Sequence, residues 1–180
     1  MSLKSGAEKS KNTNNSSEEY QINKSLFKKI TQILEIVLLE NQKSNNYKDK
    51  LISQKNMCFS SSCIPSIDLK KYLERIIIYT ESEDSTIIIA LIYIDRLSKF
   101  SGIILTPYNI HRIIFVAILI AIKYNEDNTF TFEFYSQVAG ISINELKILE
   151  FEFVCLLKFK LFVSKKDYEK YKVYIDEIED

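Results

Sequence analysis

An uninterrupted apolar run of ten residues, Ile113 to Ile122, constrains the fold of this chain more than any other feature. The run is too short to cross a bilayer, which needs about 20 apolar residues, so it predicts a buried helix of a globular core. It extends a series of small and branched apolar residues at steps of three and four, which is the period of an α-helix. The members of that series are Ile110, Ile113, Ile114, Ala117, Ile118 and Ala121. The two alanines let neighbouring helices approach closely, which favours a central position.

Four other segments between residues 66 and 162 have helical character. They predict helices over about 66–80, 87–97, 135–139 and 142–157, two on each side of the central one. Residues 130–134 alternate Phe with Thr and Glu, as a strand would. A single strand has no partner in this sequence, so we expect a loop that leads into the short helix at 135–139.

Residues typical of helix ends separate these segments. Gly102 and Gly140 follow helical periodicity and can adopt positive φ, so they predict two helix ends. Thr106 and Pro107 predict the start of the central helix, as an N-cap residue followed by proline at the first helical position. The capping box Ser142 to Glu145 predicts the start of the last core helix. Together with the periodicity, these boundaries predict an all-α domain of five helices.

The rest of the chain flanks this core. Residues 1–20 are mostly Ser, Asn, Lys and Glu, so we expect them to be flexible. Residues 21–42 carry an amphipathic stripe that predicts a helix, and residues 43–65 form a polar linker. The length of that linker suggests that the first helix is an appendage. Residues 163–180 predict a further helix with an acidic end.

Composition narrows the classes of function. The 180 residues include 24 Lys and Arg and 24 Asp and Glu, so the chain lacks the basic excess typical of nucleic-acid-binding proteins. Cys58, Cys63 and Cys155 are odd in number and form no Cys-x-x-Cys pair, which favours free thiols in a reducing compartment. The first twenty residues show no apolar signal-peptide core, so a soluble intracellular protein, cytoplasmic or nuclear or both, with no membrane partner is expected.

Residues for catalysis are scarce. Gly6, Gly102 and Gly140 are too far apart to form a phosphate-binding loop. His111 is the single histidine and lies beside Arg112 in a helix, so we interpret it as structural or surface-exposed. Adjacent carboxylates such as Glu83 and Asp84 fall in polar turns. The sequence therefore predicts a non-catalytic protein with no cofactor, no metal site and no small-molecule substrate.

Six short motifs nevertheless follow one another with a specific order and spacing. They are Tyr72 to Ile76, Ala90 to Arg96, Thr106 to Arg112, Ala121 to Asp127, Tyr135 to Ser142, and Leu149 with Glu150. Over residues 66–162 this arrangement resembles the cyclin box, especially that of P-type cyclins, which are called U-type in plants. The resemblance implies an all-α fold with a single five-helix cyclin box and flanking N- and C-terminal helices.

The resemblance also implies a function. Cyclins bind a cyclin-dependent protein kinase and activate it by docking on its C-helix, where a lysine and a glutamate contact main-chain groups of the kinase. Those two residues correspond to Lys123 and Glu150. The apolar residues implied around them are Tyr124, Val154, Phe159 and Leu161. Arg75 and Asp95 correspond to a buried Arg–Asp pair that ties the first core helix to the second, so a structural role is expected for them.

Two other functions stay open at this point. A cyclin-fold scaffold in transcription could bind peptide or nucleic acid without a kinase, although such relatives carry two repeats and basic faces. A small helical enzyme is the third possibility, and only exposed carboxylates speak for it. The first core helix lacks the Met-Arg-Ala-Ile-Leu sequence with which some cyclins recruit Arg-x-Leu substrates, so that mode of recruitment is not expected.

Overall fold

The computed structural model describes residues 22–55 and 57–179, so the segment expected to be flexible, residues 1–20, lies outside the described part. Within the described residues all regular structure is α-helical. The helices are α1 (Lys24–Lys43), α2 (Tyr47–Gln54), α3 (Leu69–Thr80), α4 (Asp84–Ser101), α5 (Ile110–Asn125), α6 (Phe132–Ala139), α7 (Ile143–Leu156) and α8 (Lys165–Asp176). The expected all-α fold is confirmed.

Helix α5 occupies the centre of the molecule. Every residue from Ile113 to Ile122 is buried, and Ile113, Val116, Ala117 and Ala121 have no exposed surface. Helix α4 packs along α5, and α3, α6 and α7 also contact it. A fully buried isoleucine stabilises the folded state by about 1.5–3 kcal/mol relative to an exposed one, so this one helix accounts for much of the core.

Three of the expected helix boundaries are present. Gly102 ends α4 at φ 70° and Gly140 ends α6 at φ 74°, which is the left-handed region where a side chain would be strained. Ser142 caps α7, since its hydroxyl accepts a hydrogen bond from the Glu145 amide at 3.2 Å. The reciprocal half of the capping box is replaced by a longer-range contact, because the Glu145 carboxylate accepts two hydrogen bonds from Arg112.

The predicted start of the central helix at Thr106 and Pro107 is wrong, because α5 begins at Ile110. Residues 107–109 form a turn instead. The Thr106 carbonyl accepts from the Asn109 and Ile110 amides, and Asn109 Oδ1 accepts from the Thr106 amide at 2.8 Å. The buried Asn109 side chain therefore closes a turn in front of the helix.

The helix predicted at 135–139 starts earlier, at Phe132. The Thr131 hydroxyl caps it by accepting from the Phe134 amide at 3.3 Å. Phe130 stacks on Phe134 with ring centroids 4.3 Å apart. Residues 130–134, which alternate in sequence as a strand would, thus form the cap and the first turn of a helix. Phe134 in that turn is buried in the core.

Residues 43–65, expected to be a linker, contain α2 and are bound to the core. Gln54 is buried; its side chain accepts from the Ile104 amide at 2.8 Å and donates to the Ile104 carbonyl at 3.1 Å. Helix α1 packs on α3 and α8, with Ile30 and Leu34 buried. The first helix is therefore an integral part of the domain, contrary to the appendage suggested by linker length.

Candidate functional site

The last turn of α5 and the middle of α7 bring two opposite charges together at the surface. Lys123 Nζ lies 2.6 Å from Glu150 Oε1, and the two side chains are 30% and 22% exposed. Lys123 is the basic residue in the last turn of α5, where the helix dipole favours a cation. The pair is therefore a partly desolvated ion pair, held by two helices of the core.

An aromatic ring supports the lysine from the other side. Lys123 Nζ lies 3.9 Å from the centroid of the Phe132 ring, at the start of α6. A cation over an aromatic face is stabilised by about 0.5–1 kcal/mol at an exposed site. Sequence reasoning did not single out Phe132, because its role depends on where α6 begins. The ammonium group is thus positioned by Glu150 and Phe132 together.

The ion pair forms the polar edge of an apolar groove of about 350 Å³, here called the Lys123 groove. Its other lining residues are Ile120, Tyr124, Phe151, Val154 and Leu161. Five of the six residues implied by the resemblance therefore lie together in one groove. Phe151, which is 68% exposed, belongs to the same surface but was not predicted.

Phe159 is the sixth implied residue and does not line the groove. It follows the end of α7 with φ 58°, directly after Lys158 at φ 54°. Two consecutive residues in the left-handed region turn the chain, and the Phe159 side chain is 71% exposed. A helical or extended continuation would have aimed it differently, so the turn decides its direction.

Helix α4 holds the segment that carries Leu161. The Tyr93 hydroxyl donates to the Leu161 carbonyl at 2.8 Å. Arg96 Nη1 donates to the carbonyls of Lys160 at 2.8 Å and Phe162 at 3.0 Å. The chain beyond α7 is irregular, but these three bonds fix its backbone. Leu161 is consequently presented to the groove by α4 as well as by α7.

Arg75 and Asp95 are not an ion pair in the described residues. Arg75 Nη2 donates to the Gln137 carbonyl in α6 at 2.7 Å. Asp95 accepts from Lys99 one turn later in α4, at 2.7 Å, and from the hydroxyl of Tyr171 in α8. The expected tie between the first two core helices is therefore replaced by one from α3 to α6 and another from α4 to α8.

The single histidine lies at the opposite end of α5, beside a second cavity of about 400 Å³. His111 Nε2 lies 3.0 Å from the Ile67 carbonyl, and since a carbonyl can only accept, this nitrogen carries the hydrogen. Burial lowers the pKa of His111, with the Ile67 and Asp68 contacts opposing that effect. Its ring also contacts Tyr72, at 5.0 Å between centroids. These contacts make His111 a structural, neutral residue.

The three cysteines also show no features of a reactive site. All three cysteines are free, as the sequence predicted. Burial, and secondarily the Glu152 charge, raises the pKa of Cys58 to about 11, so its thiol is protonated near neutral pH. Among residues 22–55 and 57–179, no cluster of three or more His, Cys, Asp or Glu side chains could hold a metal ion. None of the helices in this part of the chain is long and apolar enough to cross a membrane.

Comparisons with known proteins agree on one family. The family described as Cyclin matches residues 3–161. Cyclin-U1-1 of Arabidopsis thaliana is 36% identical over 113 residues, covering 62% of this chain and 54% of the relative. Cyclin-P3-1 of rice is 30% identical over 133 residues, covering 74% of this chain and 54% of the relative. PHO85 cyclin-7 of Saccharomyces cerevisiae is 32% identical over 142 residues, covering 72% of this chain and 50% of the relative. The chain thus spans about half the length of these three relatives.

Proposed function

Because this chain belongs to the cyclin family and is of the U/P type, we propose that it is a regulatory, non-catalytic subunit of a cyclin-dependent protein kinase. The Lys123 groove is its contact surface for the kinase C-helix. The observation that carries this assignment is the convergence of Lys123, Glu150 and the five other side chains of the groove from α5, α7 and the segment after α7.

The ion pair has hydrogen-bonding capacity to spare. An ammonium group has three hydrogens and a carboxylate about four acceptor sites. Within the described residues, each of the two groups makes one polar contact, which is the hydrogen bond from Lys123 Nζ to Glu150 Oε1. Lys123 can therefore also donate to a main-chain carbonyl of a partner helix, and Glu150 can accept from a main-chain amide. The apolar wall beside them would bury the same helix.

Binding of this kind activates a kinase by selection of one conformation. A kinase is competent only when its C-helix glutamate pairs with its β3 lysine. A rigid groove that fits the C-helix in that position, and in no other, shifts the equilibrium by its differential affinity for the two positions. Removal of one charge from a buried hydrogen-bonded pair weakens such a complex by about 2–5 kcal/mol.

The experiment compares wild type with Lys123→Ala, Glu150→Ala and the charge swap Lys123→Glu/Glu150→Lys. Each protein is used as bait in native lysate, and the eluate is assayed for protein kinase activity. Lys99→Ala is the matched control, since Lys99 forms a 2.7 Å ion pair with Asp95 on another face of the molecule. We expect kinase capture and activation by wild type and Lys99→Ala alone.

The charge swap separates contact from stability. It can re-form the ion pair, so we expect its melting temperature to return toward that of wild type, while its contacts to kinase main chain stay reversed and activation stays lost. Activation by the swapped protein would contradict the proposal. If no bait retains a kinase while wild type retains DNA or RNA in a salt-sensitive way, the transcription-scaffold function would replace it.

A further inference from the structure

Helix α1 is tied to the core at both ends but leaves a space along its middle. Asn23, the N-cap of α1, donates to Asp84 at the start of α4 at 2.7 Å. Asn41, near the other end, donates to the Leu105 carbonyl beyond α4 at 3.0 Å. Helices α1 and α4 therefore run in the same direction. Between these ties lies a cavity of about 440 Å³, bounded on its third side by α8, and here called the α1–α8 cavity.

A contact between α1 and α8 lies beside the cavity. Lys29 of α1 donates to the Asp176 carbonyl at the end of α8 at 3.0 Å, which joins the two helices there. Ile175 is buried beside this contact. These contacts place α1 beside α8 and leave an apolar slot between them and α4. Its volume falls in the range of about 300–1,000 Å³ that is usual for small-molecule sites.

Most of the lining is apolar. Branched and aromatic side chains from all three helices and from the chain after α4 form the walls. The principal ones are Ile33, Val37, Leu91, Ile94, Leu105 and Tyr174. Tyr174 is 59% exposed, which places its ring at the mouth. The apolar part of a ligand in the cavity would therefore contact these walls on several sides.

The polar groups of the lining have an excess of positive charge. Asp95 is engaged by Lys99 at 2.7 Å and by the Tyr171 hydroxyl. Lys170 also lines the cavity and forms no ion pair within the described residues. Two lysines thus face one carboxylate that is already paired. An anionic group is favoured at this rim, and a cationic group is disfavoured.

We propose that the α1–α8 cavity binds a small amphipathic anion, a free acyl-chain carboxylate, with its chain in the slot and its carboxylate beside Lys170 and Lys99. The volume of the cavity limits the length of chain that fits, and the lysines select the charge of the head group. The cavity lies on the face of α4 formed by Leu91, Ile94 and Asp95, whereas Tyr93 and Arg96 support the Lys123 groove. This ligand is therefore compatible with a partner in that groove.

The test uses isothermal titration calorimetry of the full chain with dodecanoate below its micelle concentration. Dodecyltrimethylammonium, which has the same chain and the opposite charge, is the probe of charge selectivity. We expect saturable one-to-one binding of dodecanoate and about fivefold weaker binding of the cation, since one exposed charge contact contributes up to about 1 kcal/mol.

Two matched pairs of variants locate the ligand. Val37→Phe fills the slot and should abolish binding, while Ile36→Phe, on the exposed side of α1, should bind like wild type. Lys170→Glu should weaken binding about fivefold or more, whereas Lys172→Glu, which changes the net charge equally outside the cavity, should not. Circular dichroism of each variant checks that it is folded.

The proposal would be overturned by no saturable binding to wild type, by wild-type affinity in folded Val37→Phe, or by equal affinity for the cationic probe. Binding that is weakened equally by Lys170→Glu and Lys172→Glu would also reject it, because it would reflect net charge alone. Occupation of the cavity by another segment of the chain or by a protein partner would appear as the first of these results.

Discussion

At the scale of single residues, position in the helix decides what each polar group can do. Lys123 and His111 both belong to α5, yet one lies in its last turn and the other in its first. Lys123 contacts the Glu150 carboxylate and the face of the Phe132 ring. His111 is held neutral, because its partly buried ring packs against Tyr72 and donates to the Ile67 carbonyl. One helix thus carries a charged surface group and a neutral structural one.

The lowered pKa of His111 predicts a pH dependence of stability. Burial makes protonation of the folded state harder than protonation of the unfolded chain. As the pH falls through 6.5, the ordinary value for histidine, the unfolded state binds more protons and stability falls. At higher pH both states are neutral and the penalty disappears.

The measurement is the melting temperature between pH 8 and pH 6. Carboxylates scarcely titrate in this range, which extends below the ordinary histidine pKa of about 6.5. His111→Gln should lose part of the decline that wild type shows toward pH 6. Since His111 is the single histidine of the chain, an identical decline in both proteins would mean that its burial is not what makes stability depend on pH.

At the scale of helices, apolar periodicity locates the helices, whereas the turns between them decide where each helix starts and which way the chain leaves it. Apolar spacing and the residues at helix ends located α4, the body of α5 and the start of α7. They did not locate the start of α5, because Thr106 and Pro107 belong to a turn that the Asn109 side chain closes. They also did not predict the direction of Phe159, because no sequence pattern predicts two consecutive non-glycine residues with positive φ.

The irregular segment after α7 depends on one side chain of α4. Arg96 donates to two carbonyls of this segment and is 17% exposed. Hydrogen bonds of a charged group contribute about 1.5–3 kcal/mol, so Arg96→Ala should destabilise the protein by roughly that amount. We expect the loss to appear first as faster amide exchange over residues 158–163.

Hydrogen exchange followed by mass spectrometry measures this effect, with Lys99→Ala on the same helix as control. Lys99 is 67% exposed and forms an i to i+4 pair, so its removal should leave exchange over residues 158–163 unchanged. Unchanged exchange in Arg96→Ala would show that Tyr93 and the packing of Leu161 hold the segment without it.

At the scale of the whole molecule, helices α1 and α8, which flank the cyclin box, complete the core. Helix α1 buries Ile30 and Leu34, and α8 buries Ile175 against the same region. The amphipathic stripe of α1 was visible in the sequence, but a stripe shows only that one face is covered and not by what. The resemblance, which ended at residue 162, could not supply those contacts either.

Matched substitutions on α1 test whether it unfolds with the rest of the protein. Ile30 has no exposed surface, so Ile30→Ala should destabilise the whole domain by about 2–5 kcal/mol. Ile36 is 51% exposed, and Ile36→Ala should stay within about 0.5 kcal/mol. Urea unfolding monitored by circular dichroism should give one transition for each protein. A small effect of Ile30→Ala, or a separate early transition, would contradict the integration of α1.

The three hydrogen bonds from Tyr93 and Arg96 to the carbonyls of residues 160–162 have a thermodynamic consequence. A binding surface built partly from irregular chain usually has to lose conformational freedom when a partner arrives, and that loss weakens the complex. Here the loss is incurred when the protein folds, since α4 already immobilises the backbone around Leu161. The Lys123 groove is therefore preorganised for the kinase contact that we propose. Substitutions in α4 that never touch the kinase should lower affinity through entropy.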